Sequence, residues 1–122
     1  MKHDPRIGNK AYIKAGVGFS GGTLGRDLRI LSQINTSRGG GTFPFFQEIW
    51  QHNRQRPKLL VYKMGRILGQ FPQKTISFLG VTYKPGTSTL RRSIPLEMAR
   101  DFTRKGAKVK IFDPKADWSE IE

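Results

Sequence analysis

Cysteine is missing from all 122 residues. No disulfide can staple this chain, and thiolate chemistry, whether metal binding or nucleophilic attack, is excluded. Imidazole is nearly as scarce. His3 and His52 are the only histidines, and two rings so far apart in sequence make no zinc-site pattern. No apolar run approaches the roughly 18 residues that a membrane helix needs. The first ten residues, MKHDPRIGNK, contain no apolar stretch of the kind that directs secretion, so a cytoplasmic protein is the expectation. Acidic residues are also few: 9 Asp and Glu stand against 22 Lys and Arg, a net charge of +13. That surplus either attracts an anionic partner, such as a nucleotide, a nucleic acid or an acidic protein surface, or is balanced by acidic residues elsewhere in a longer protein.

What is present suits one modest domain. Hydrophobic residues make up 36% and charged residues 25%, enough for a core with little to spare. Residues 1–25 are rich in Gly and Lys without a sustained period and read as loop. Leu28, Leu31 and Ile34, with Ile30 beside them, predict a short helical face from Arg26 to about Ile34. SRGGGT at 37–42 is a turn. A second helix is predicted from Phe43 or Pro44 toward Leu68, with Phe45, Ile49 and His52 on one face, Phe46 and Trp50 on another, and Leu60, Met64, Ile67 and Leu68 continuing the apolar stripe. Pro57 should kink or break it, because proline removes a donor and crowds the preceding turn.

The best-defined unit follows. TISFLGV at 75–81 reads as a buried strand. Ser93 is a good N-cap with Pro95 just inside the helix. Met98, Ala99 and Phe102 fall at core spacing before Gly106. Residues 107–112 alternate as a second strand that Asp113 and Pro114 stop. The fold expected is α/β: a loop and helical segment over 1–72, then one β-α-β unit over 73–122, the start of a Rossmann-like sheet that asks for further strands.

Two segments carry candidate chemistry. The run GVGFSGG at 16–22 can bring bare backbone amides to an oxygen-rich ligand, yet it matches neither the P-loop nor the dinucleotide fingerprint. By composition alone a flexible linker is the better reading. The run VTYKPGT at 81–87 lies after a strand, where open α/β sheets bind ligands. Lys84 there could meet a phosphate, and Arg91 and Arg92 lie near the following helix start. A solvated basic loop fits the same residues.

Taken in order, these motifs resemble the UDP-glucose and GDP-mannose dehydrogenase family, in its UDP-glucose 6-dehydrogenase-like branch. DPRIG at 4–8, KAGVGFSG at 14–21, Arg26-Asp27, LGVTYKPGT at 79–87, LRRS at 90–93, Gly106-Ala107 and FDP at 112–114 keep the family's order and spacing over roughly residues 4–116. The resemblance implies a chain that starts just before the active-site loop, runs through the helical dimerisation region and enters the C-terminal UDP-sugar-binding domain. It leaves the main NAD-binding domain outside. It implies a UDP-sugar as substrate, NAD as cofactor and a homodimer. Arg6 then matches an arginine that reaches into a neighbouring subunit's site, suited by its fork of donors. Lys14, Gly16, Val17, Gly18, Phe19 and Ser20 match the segment that holds the nucleotide-sugar through backbone amides. Tyr83 and Lys84 match a substrate-contacting pair, Arg26 and Arg91 cofactor contacts, and Asp27 a residue that assists water and proton transfer. Asn53 falls where the family has an asparagine in its dimer helix, and no role is assigned to it.

One departure bears on mechanism. Where the family has Gly-Phe-Gly-Gly-Ser-Cys-x-Pro-Lys-Asp, this chain has GFSGGTLGRD at 18–27, so Thr23 stands at the nucleophilic cysteine position. A free thiol ionises near pH 8.5 or so, whereas a hydroxyl needs a strong adjacent base. The resemblance therefore implies either a fragment of a nucleotide-sugar dehydrogenase with altered chemistry or a non-catalytic remnant that dimerises or binds nucleotide-sugar. A small basic nucleic-acid-binding protein is the third reading. Charge alone supports it, and the sequence holds no helix-turn-helix, zinc-finger or RNA-binding signature.

Overall fold

The computed structural model describes residues 3–11, 13, 16–37, 39 and 44–121. Its elements run α1 (Thr23–Ser37), α2 (Phe45–Leu68), β1 (Thr75–Leu79), α3 (Ile94–Arg104), β2 (Lys108–Phe112) and a closing 3-10 turn (Trp118–Glu120).

The β-α-β unit forms as its sequence predicts. Ser93 caps α3 by accepting a hydrogen bond from the Leu96 amide at 3.2 Å, satisfying one of the free donors of the first turn. Its hydroxyl also donates to the Val81 carbonyl, which ties the cap to the end of β1. Pro95 lies in the first turn, Glu97 is there to oppose the helix dipole, and Arg104 sits at the other end. Gly106 then turns the chain at a φ of +86°, a conformation that glycine adopts without strain. β1 and β2 pair in parallel, Thr75 opposite Lys108 and Leu79 opposite Phe112. Ile76, Phe78, Val109 and Ile111 face inward. Ser77, Lys108 and Lys110 face out, where Leu79 and Phe112 are also left exposed.

The larger core joins both halves of the chain. Val61 of α2 packs with Ile76, Ile94, Met98, Phe102 and Ala107. Phe102 is fully buried, with Phe71 edge-on at 5.2 Å and Phe78 at 6.1 Å between ring centroids. A second cluster of Val81, Leu90 and Leu96 sits under the loop that follows β1.

The helical half departs from its predicted outline in three ways. α1 is longer than the stretch from Arg26 to Ile34, and of its predicted apolar face only Leu28 is buried; Ile30, Leu31 and Ile34 stay more than 40% exposed. α2 runs unbroken through Pro57. Proline at that position strips the Asn53 carbonyl of its helical donor, but Pro57 is itself buried and packing holds the turn. Finally, the buried row of α2 is Asn53, Pro57 and Val61. Phe45 and His52 are exposed, and Ile67 is 81% exposed. A polar residue and a proline head the inward row, where hydropathy gave no signal, while Leu60 and Met64 of the predicted stripe pack half-buried against the larger core. No helix among the described residues is long and apolar enough to cross a membrane.

Candidate functional site

The turn at 16–22 is pinned from two sides. From α2, Asn53 reaches up with both ends of its amide. Its Oδ1 accepts from the Phe19 amide at 2.8 Å and its Nδ2 donates to the Phe19 carbonyl at 2.9 Å. One turn along the helix, Arg56 Nη2 donates to the Gly16 carbonyl at 2.6 Å. Val17 packs against the larger core. Gly18, at φ +117°, passes so close that a Cβ there would lie 2.5 Å from Asn53 Oδ1. Glycine is thus required twice over, by conformation and by contact.

The loop after β1 holds the other side. Ser20 Oγ donates to the Tyr83 carbonyl at 2.7 Å, and Gly21, at φ +88°, lies against the Tyr83 ring. Lys84 projects over that ring, its Nζ 5.4 Å from the centroid. The lysine is exposed, while its carbonyl accepts from Thr87 Oγ1 at 2.8 Å. The amide-rich turn and the strand-end lysine loop, more than sixty residues apart in sequence, are therefore in direct contact. A third tie comes from Arg92, whose backbone is left-handed at φ +56° and whose Nη1 donates to the Gly22 carbonyl at 2.9 Å.

Position 23 opens α1 and is exposed. Asp27 follows one helical turn later on the same face. Its carboxylate is held by Arg26 at 2.9 Å. Arg26 lines a groove of about 780 Å³ between α1, α2 and α3, together with the backbone at 19–21, Arg29, Arg54, Lys58, Arg92 and Arg100. Only Glu97 and Asp101 offset those cations within it, so the groove suits an anion. Tyr83 and Lys84 lie at the turn but not in this groove. Arg91 lines a smaller cavity, of about 340 Å³, with Leu90, Leu96 and Glu120. Its amide, like that of Leu90, donates to Glu120 Oε2. Arg6 is bound to Asp4 at 2.7 Å with its side chain 86% exposed. That contact draws the Asp4 carboxyl below its ordinary range and the Arg6 guanidinium above its own. Lys14 lies outside the described residues.

The frame of the site depends on residues to which hydropathy and motif gave no such role. Asp113, just past β2, takes the Val81 and Thr82 amides on Oδ2 at 2.8 and 3.1 Å and the Lys115 amide on Oδ1. The Val81 amide foremost, with those neighbours, holds its carboxyl below the ordinary range. This fixes the root of the Tyr83 loop. Arg56 was missed, and Asn53 and Arg92 were noted without this role; the signal for Asn53 was available, a lone amide in the row of Pro57 and Val61. Among the described residues, no group of three His, Asp or Glu is placed to hold a metal.

Comparison with known proteins adds the following. Residues 77–122 match the UDP binding domain of the UDP-glucose/GDP-mannose dehydrogenase family. The UDP-glucose 6-dehydrogenase TuaD of Bacillus subtilis is 34% identical over 93% of this chain and 24% of its own length. The UDP-glucose 6-dehydrogenase of Rickettsia bellii is 35% identical over 91% of this chain and 25% of its own. The solved UDP-glucose dehydrogenase of Pyrobaculum islandicum superposes with a TM-score of 0.81 at 30% identity, over 93% of this chain and 26% of that one. The chain thus spans about a quarter of the length of the curated relatives it matches.

Proposed function

Since this chain belongs to the UDP-glucose/GDP-mannose dehydrogenase family, we propose that its contacting turn and lysine loop form the seat for the diphosphate of a UDP-sugar. The observation that carries this reading is the Ser20–Tyr83 hydrogen bond at 2.7 Å. It sets glycine-rich backbone beside Lys84, and amides plus one mobile ammonium are a recurring phosphate-binding set. Within that seat Gly16, Val17, Gly18 and Ser20 supply backbone, Tyr83 gives a flat apolar wall and Lys84 supplies charge.

The residues also suit the cofactor class of the family. The cation-lined groove beside position 23 fits a dinucleotide pyrophosphate, with Arg26 as a holding residue; Arg91, which lines the separate smaller cavity near the start of α3, offers a second cation for the cofactor. NAD, when bound, supplies a hydride acceptor. Thr23 and Asp27 take the place beside the reacting carbon. Among the described residues Thr23 has no hydrogen-bonded base, and Asp27 is engaged by Arg26. A hydroxyl in that setting is a poor nucleophile, so the covalent second oxidation is closed to this sequence, and a longer protein bearing it stops at the sugar aldehyde. Assembly follows the same reading. Exposed Phe45, Leu59, Tyr62 and Ile67 on α2 support a homodimer, in which Arg6 reaches toward the partner's site.

Isothermal calorimetry with UDP-glucose and with UDP tests the seat. Saturable binding that weakens with salt and drops in Lys84→Ala is expected. Equal affinity in Lys84→Ala, or no heat from the wild-type chain, overturns the reading. No NADH should form from UDP-glucose with the chain alone.

A further inference from the structure

The turn at 16–20 has no secondary structure of its own, yet a binding seat made of backbone amides must hold them within a few tenths of an ångström. What does so is one turn of α2. We infer that Asn53 is the positioning residue of the nucleotide-sugar seat, and that Phe19 serves it as an anchor and not as a ligand donor. The inference rests on the proposed seat and adds a device to it.

Three observations meet at one place. Asn53 is only 8% exposed, and its side chain spends one acceptor and one donor on the amide and carbonyl of the same residue, Phe19. That pairing imitates a strand ladder and fixes both the position and the rotation of the peptide. With its amide given to Oδ1, Phe19 has no N–H left for a phosphate, so the ligand-facing donors are its neighbours. Next, Pro57 follows Asn53 by four residues inside α2. Proline cannot donate to the Asn53 carbonyl, and that oxygen lies 3.5 Å from where a Cβ of Gly18 would stand. Proline and glycine thus meet across one gap, the first opening the helix wall and the second letting the turn lie against it. Lastly, Arg56 fastens the start of the turn through the Gly16 carbonyl.

Leaving Asn53 unpaired would strand a buried amide, which is costly, so the clamp is self-enforcing. An aspartate could still accept from the Phe19 amide but would set a carboxylate against the Phe19 carbonyl. A glutamine is one methylene too long for the 2.8 and 2.9 Å pair.

The test uses amide hydrogen exchange and UDP calorimetry on the wild-type chain, Asn53→Asp and Gly18→Ala. The last variant keeps Asn53 and crowds the turn away from it, so it reports on the clamp even if the aspartate variant folds poorly. The expected result is slow exchange at the Phe19 amide in the wild type and exchange at least tenfold faster in both variants. UDP affinity should fall at least tenfold in both, with amide exchange in β1 and α3 unchanged. Fast exchange at Phe19 in the wild type overturns the inference, and so does undiminished UDP affinity in both variants. A wild-type chain that protects Phe19 yet binds no UDP removes the proposed seat. The clamp on the turn would then stand, and Asn53 as a positioning residue for a ligand would fall with the seat.

Discussion

The two halves of this chain hold themselves together by different physics. From β1 to β2, side chains from strand and helix close on Phe102, and the energy is that of apolar burial. Among the described residues from 3 to 22 there is no helix or strand. That region is fastened by a handful of directed bonds: side chains of Asn53, Arg56 and Arg92 hold its backbone atoms, and its Ser20 hydroxyl donates to the Tyr83 carbonyl. Burial is non-directional and tolerates small displacements, whereas paired backbone bonds fix geometry at modest net stabilisation. The rigid half thus supports the fold, and the bonded half supports the site.

This contrast can be broken at either end. The largest effect is expected from Phe102→Ala. Emptying a fully buried ring position should cost about 3–5 kcal/mol and unfold both halves, since α2 shares that core; chemical denaturation would show it. Ser93→Ala should cost about 1–2 kcal/mol by losing the helix cap and its tie to the Val81 carbonyl. Arg92→Ala should leave the midpoint of unfolding nearly unchanged, since an exposed side chain contributes within about 0.5 kcal/mol or so, while speeding amide exchange at 16–22 alone. If Arg92→Ala destabilised the whole chain as Phe102→Ala does, the division into two regimes would be wrong.

Acid titration sharpens the same point at the joint between the halves. The folded Asp113 carboxyl ionises below its ordinary value of 3.8, while the unfolded one titrates near about 3.9. The sign follows: its stabilisation is fully present above the unfolded value and is lost as pH falls through the folded one. Asp113→Asn should therefore flatten the acid limb of the stability curve below about pH 4 and leave the neutral region as the place where the two proteins differ most. The smallest effect concerns Arg6. Its pair with Asp4 lies in solvent, so Arg6→Ala should not move the melting temperature; if the proposed homodimer forms, weaker self-association of the variant is the expected signature.

Legibility in the sequence divides along the same line. Ser93, Pro95, Phe102 and Gly106 each have a local reason that can be read from neighbours three or four residues away, and β1, α3 and β2 fell where those signals put them. The burial pattern of α2 did not. Its inward row is Asn53, Pro57 and Val61, and two of those three residues read as outward or as helix breakers until the turn they face is known. The contact between Ser20 and Tyr83 was legible only through the order of motifs, because no local rule links residues 63 positions apart. Asp113 read as a strand terminator. Its second duty, gathering the amides that follow β1, needs the parallel pairing that brings the two strand ends side by side.

The most direct test is a UDP titration of the isotope-labelled chain followed by amide chemical shifts. The account predicts that amides of Gly18, Ser20, Tyr83 and Lys84 move together along one saturation curve with a single dissociation constant. Shifts confined to one of the two segments, or two segments saturating at different concentrations, would contradict it.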